Sequence, residues 1–158
     1  AALYLGAMVA ANLLVWWFGP WSSPAIAFFL IGMDLTLRDV MQERFTRWQL
    51  ACVIIAGSAA TWLLNPSAAR IAVASALAFL ASALADWATY AALRSRPWLV
   101  RSNGSNLVGA AVDSVLFPTL AFGALLPAIV ALQFVAKVAG GGVWSLIIRP
   151  WMPRESAT

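Results

Sequence analysis

The sequence predicts an all-α membrane protein of six transmembrane helices with both termini cytoplasmic, and three observations predict it. Of 158 residues, 63% are hydrophobic and only 10% are charged, against about 25% charged in an ordinary soluble domain. The apolar residues fall in blocks of span length, giving a mean hydropathy of +0.84. The basic residues collect between alternate blocks. A span takes about 20 residues, so this length holds about six with short connections. Almost nothing is left over for a nucleotide-binding domain or a soluble catalytic module.

The spans follow in order. The first, about 3–18, lacks the basic flank of a signal peptide and reads as a true span, with Asn12 deep inside it. After the turn GPWSSP comes the second, about 25–41, which carries Asp34 and Arg38 and ends in the charged stretch DVMQERFTR. The third, about 48–64, runs to NPSAAR. The fourth, about 71–93, contains Asp86 and Trp87 and is closed by RSRPWLVRS. The fifth, about 104–122, holds Asn106, Asp113 and Pro118. A turn from Gly123 to Pro127 leads to the sixth, about 127–148, with Lys137 and three successive glycines at 140–142. Together they form a single transmembrane domain over 1–158.

The arginines set the orientation. Arg38, Arg44, Arg47, Arg94, Arg96, Arg101, Arg149 and Arg154 follow even-numbered spans, against Arg70 alone on the other side. By the positive-inside rule both termini are cytoplasmic. Tryptophans at 16, 17, 21 and 62 fall at the outer boundary and those at 48, 98, 144 and 151 at the inner one, as an aromatic belt requires. The net charge of +4 and pI near 10.2 therefore record topology, and no nucleic-acid partner is expected. Three spans per half is an odd number, so two repeated halves would be inverted. An aspartate in the middle span of each half fits that pattern, and a site between such halves is a recurring transporter design.

At about 1.5 Å per residue, Asp34, Asp113 and Lys137 each lie roughly 15 Å inside the core, near its middle, and Asp86 lies somewhat nearer the inner face. A charge there costs at least about 2.5–3.5 kcal/mol, so these groups should face one another or a wet cavity. Structural ion pairs are the plain explanation: Lys137 with one aspartate, and Asp34 with Arg38 one turn along. The count then leaves acid in excess, which suits a ligand that donates hydrogen bonds. Asp39 and Glu43 read as a solvated face with Arg44 and Arg47. The glycine run after Lys137 would weaken an ordinary helix, and an interrupted helix beside deep charges points to a binding site. Close packing by small residues explains the same glycines equally well. Trp87 would stack on a flat ligand or simply pack.

The one cysteine, Cys52, excludes an internal disulfide, and the absence of histidine removes the commonest metal ligand and general base. No cofactor or metal is expected. An intramembrane aspartyl protease would need a carboxylate dyad. The stretch from Gly109 to Asp113 lacks the tight Gly-x-Gly-Asp turn of such enzymes, and no catalytic constellation of another kind stands elsewhere.

The stretches DLTLRDVMQERF at 34–45, ALADWATYAALR at 83–94, SNLVGAAVDSVLFPTLAFG at 105–123 and KVAGGG at 137–142 resemble, in order, the signature segments of the queuosine-precursor transporter family, also called vitamin-uptake-like transporters. The resemblance implies a six-span, multi-pass protein of the bacterial-type inner membrane. Its substrate would be 7-cyano-7-deazaguanine or 7-aminomethyl-7-deazaguanine, a purine-like base, and its only other partner the lipid bilayer. Carried over by position, it implies that Asp34, Arg38, Asp86, Asn106, Asp113 and Lys137 line the substrate site, where Trp87 would stack on the flat ring. Many relatives have an acid where Arg38 stands. Asn12 is the only plausible contribution of the first span.

A substrate-binding subunit of an energy-coupling-factor vitamin importer is the alternative reading. Such subunits dock through Ala-x-x-x-Ala faces of the kind Ala7 and Ala11 would form. Gly and Ala faces would also allow a homodimer.

Overall fold

A computed structural model describes residues 2–42 and 45–151, which form helices joined by short turns and contain no strand. Of the charged residues used above, Glu43, Arg44 and Arg154 lie outside the described residues. The first helix is Ala2–Phe18. The second runs over 23–42 in three joined pieces, an α-turn at Ser23–Ile26, a π-helical segment at Ala27–Ile31 and an α-helix at Gly32–Gln42. The third, Arg47–Leu64, is started by a capping box in which the Thr46 hydroxyl accepts from the Gln49 backbone and the Gln49 side chain accepts from the Thr46 backbone. This pairing satisfies two amides that the first turn leaves open. The fourth, Ala69–Ala92, follows a 3-10 turn at Pro66–Ala68.

The fifth helix, Trp98–Phe122, begins six residues before the expected span and continues through Pro118 to Gly123, whose φ of +74° ends it in the left-handed region. The sixth is Pro127–Ile148. Three helical stretches are long and apolar enough to cross a bilayer: Pro66–Ala92, Trp98–Phe122 and Pro127–Ile148. Ala2–Phe18 and Trp48–Leu64 are apolar but shorter. The second helix carries Asp34 and Arg38 and is broken by the π-segment, so it does not stand among the uniformly apolar ones.

Neighbouring helices keep a consistent register. Ser82 on the fourth helix meets Gly109 on the fifth, and Arg70 meets Leu120, so the two run antiparallel. Lys137 meets Ser114, and Ser145 meets Asn103, so the fifth and sixth do as well. Asn12 reaches Thr61 where Met8 packs on Gly57, which sets the first and third parallel. Ser23 bonds Gln133 and Thr36 bonds Gly141, which sets the second parallel to the sixth. One end of the bundle therefore gathers the turns at 19–22 and 65–68, each with a proline, and the turn at 123–126 that precedes Pro127. The other gathers the connection at 93–97 with Arg94 and Arg96.

The glycine run of the sixth helix does not interrupt it. A Cβ on Gly32 would lie 2.7 Å from the Gly140 carbonyl carbon, and one on Gly140 would strike the Phe28 carbonyl. The glycines thus let the second helix approach backbone to backbone, and the irregularity falls in that partner, at the π-segment. The Trp144 indole donates to the Phe29 carbonyl at 3.1 Å, inside the same segment.

Polarity is distributed as a bilayer demands. The outer surface is apolar, with Trp17, Trp21, Leu63 and Trp48 all more than 70% exposed, while the interior holds aspartate, arginine, lysine and asparagine. Charged groups that water would solvate are here turned away from lipid. The chain is a membrane protein by this inversion. Trp98 departs from the expected belt: because the fifth helix starts early, its first residue is buried against the bundle. An apolar cluster of Tyr4, Met8, Ile31, Leu35, Ile54 and Phe79 fills the middle, and Val15, Ala78, Phe117 and Ala121 pack toward the proline-rich end.

Candidate functional site

Five charged side chains are buried among the described residues: Asp34, Arg38, Asp86, Asp113 and Lys137, each 3% exposed or less. Their helical spacing explains why they meet. Asn106, Ala110, Asp113 and Phe117 recur at three or four residues and put the buried face of the fifth helix inward. Ile129, Gln133 and Lys137 do the same for the sixth, as do Ser75, Phe79, Ser82 and Asp86 for the fourth.

Two networks result. In the first, the Lys137 Nζ lies 2.6 Å from Asp113 Oδ2 and donates to Gln133 Oε1 at 2.7 Å and Ser114 Oγ at 3.3 Å. Gln133 in turn donates to Ser23 Oγ at 2.8 Å, and Ser23 donates to the Pro20 carbonyl at 2.6 Å. All three ammonium protons are thereby placed, and the chain ends in the turn that opens the second helix. The second network lies nearer the arginine-rich end. Arg38 Nε is 3.6 Å from Asp86 Oδ2, and both Nη atoms donate to Ser82 Oγ at 3.3 Å. Ser82 donates to the Gly109 carbonyl at 2.9 Å. Gly109 makes this crossing feasible, since a Cβ there would sit 3.1 Å from both Arg38 Nη2 and Ser82 Oγ.

Arg38 therefore turns to Asp86 across the bundle, and the expected pairing with Asp34 one turn away is not formed. Asp34 lies near Arg38 and Asp113 between the networks, and its Oδ1 is buried without a hydrogen-bond partner. Asn106 donates to Ser102 Oγ at 3.4 Å and leaves its own carbonyl oxygen unpartnered.

A cavity of about 20 Å³ opens onto the first network, lined by Asn12, Ser23, Ser75, Phe79, Asp113, Phe117, Gln133 and Lys137. That is room for about one water molecule, so the bundle is closed around it. Asn12, Asp113 and Lys137 are thus brought together. Asp86, Arg38 and Asn106 lie one layer away. Trp87, adjacent to Asp86 in sequence, is carried about 100° around the fourth helix to another face. There it lines a separate apolar groove of about 270 Å³ with Phe45, Leu50, Ile54 and Leu84. Among the described residues no group of three or more metal-ligating side chains occurs.

A family model described as "Putative vitamin uptake transporter" matches residues 10–151. The chain belongs to this family. The match takes in every residue of both buried networks. Comparisons with curated proteins and with solved structures find no match.

Sequence reasoning overlooked Gln133, Ser23, Ser82 and Tyr4. Gln133 had a usable signal, since an amide four residues before a deep lysine shares its face. Ser82 stands in the same relation to Asp86. Tyr4 had none: an aromatic near the start of a span carries no mark of its depth, yet it is 1% exposed with an unpartnered hydroxyl.

Proposed function

We propose that this vitamin uptake transporter imports a queuosine precursor, 7-cyano-7-deazaguanine or 7-aminomethyl-7-deazaguanine, across a bacterial-type inner membrane by alternate opening of the Asp113–Lys137 cavity. The observation that carries the reading is a buried, mutually neutralised ion pair lining a water-sized cavity between two aromatic rings. Phe79 and Phe117 flank the cavity and suit a flat ring that stacks. A deazaguanine presents a ring N–H and an exocyclic amine on one edge, and one carboxylate accepts both as a charge-assisted bidentate pair. Asp113 is the acid placed for that role, with Asn12, Gln133 and Lys137 around it for the ring carbonyl and the 7-substituent.

Admission of a base requires the helices to part. In this mechanism the incoming donors compete with the Lys137 ammonium for Asp113, and the closing step re-forms the Lys137–Gln133–Ser23 chain behind the base. The arginine-rich end is the cytoplasmic one by the positive-inside rule. The energy-coupling-factor alternative has less support, because Ala7 and Ala11 are buried inside the bundle and offer no docking face.

The test is rescue of tRNA queuosine in a strain that needs external precursor and lacks its own importer, supplied with each deazaguanine in turn. Wild-type protein should restore the modification, and Asp113→Asn should abolish it at unchanged membrane abundance. If no deazaguanine restores it, the substrate is wrong. Wild-type rescue by Asp113→Asn would remove Asp113 from the site.

A further inference from the structure

The two networks neutralise two carboxylates and leave a third. Lys137 is matched to Asp113 and Arg38 to Asp86, so among the five buried charged side chains Asp34 has no cation of its own. It is 2% exposed, and its Oδ1 is buried without a hydrogen-bond partner. A buried carboxylate without donors is strongly disfavoured, and such groups neutralise by taking up a proton. The surroundings offer no other remedy. The first helix presents Tyr4, whose hydroxyl is buried and itself unpartnered. The second presents Arg38, bound across to Ser82 and Asp86 of the fourth. The fifth presents Asp113, a like charge, and the sixth presents Lys137, already held by Asp113, Gln133 and Ser114. The third helix carries no charged residue beyond Arg47 at its first position.

We infer that Asp34 is a proton-binding site, protonated in this closed bundle and able to release its proton only when the bundle opens to water. Protonation leaves these five buried side chains with two cations and two anions, a balanced set. Opening admits water to the carboxyl and removes the reason for holding it. A sodium ion is the competing occupant. It would need several oxygen ligands, whereas the oxygen facing Asp34 from the first helix is a single tyrosine hydroxyl.

The inference rests on reading the chain as a transporter that opens and closes, but its test needs no substrate. In lipid vesicles, infrared difference spectra between neutral and alkaline pH should contain the carbonyl stretch of one buried carboxylic acid, and Asp34→Asn should remove it. The folded protein holds a proton that the unfolded chain has already given up by neutral pH, so wild-type stability should fall as pH rises. Asp34→Asn mimics the protonated side chain, so it should fold, and its unfolding temperature should lose that pH dependence. A spectrum without such a band, or one unchanged in Asp34→Asn, overturns the inference. So does a stability that sodium raises in wild type and not in the variant. These failures would leave the uptake assay of Asp113 unaffected, so the two readings fall separately.

Discussion

Replacing Lys137 by methionine keeps the volume of the side chain and deletes its charge. Asp113, 3% exposed, would then lose the ammonium 2.6 Å from its Oδ2, and Gln133 would lose the donor to its Oε1. Breaking a buried pair from one side costs about 3–5 kcal/mol, because the remaining charge stays behind without compensation. At about 2–4 °C per kcal/mol for a chain of this size, the unfolding temperature should drop by about 6–20 °C. Asp113→Asn should destabilise similarly by stranding the lysine. The double substitution removes both charges, so it should be more stable than the sum of the singles by about 0.5–3 kcal/mol, while rescue of tRNA modification stays absent. Thermal unfolding of the four proteins in one detergent, followed by circular dichroism, reads this directly. Strict additivity would refute the view that the two groups form a single neutral unit.

The glycine run provides an internal control. Gly140→Ala places a methyl against the Phe28 carbonyl and should destabilise by about 1–3 kcal/mol through overpacking. Gly141→Ala meets its nearest neighbour, Asn106 Nδ2, only at 3.7 Å. It should be neutral or stabilising by up to about 1 kcal/mol from helix propensity, so thermal melts that rank the two in reverse would contradict the packing described. Ser82→Ala removes the hydroxyl that takes both Arg38 Nη atoms and caps the Gly109 carbonyl. Its expected cost is about 1–3 kcal/mol for the groups left unpaired, and the same melts measure it.

Much of the site was legible because depth along a helix can be counted. Asp34, Asp113 and Lys137 lie at nearly equal distances from turn residues, and charges at that depth must face inward. The partner of each could not be counted. Arg38 is one turn from Asp34 and would pair with it on an isolated helix, yet the close approach at Gly109 opens a path to Asp86 and Ser82 instead. Trp87 was misleading for the same reason: adjacency in sequence to Asp86 means divergence by about 100° around a helix.

What the sequence by itself determined is the solvent and the inventory. A chain so poor in charge and so rich in span-length apolar blocks must place its helices in lipid, and the few remaining charges must be inside. Local chemistry also set the helix ends, through the Thr46–Gln49 box and Gly123. Only the tertiary structure decided which charges neutralise one another, because pairing depends on helix rotation and on distances of a few ångströms between elements far apart in the chain. Glycine contacts between the second and sixth helices and the crossing over Gly109 supply those distances. They leave Lys137 with Asp113, Arg38 with Asp86, and Asp34 alone between them.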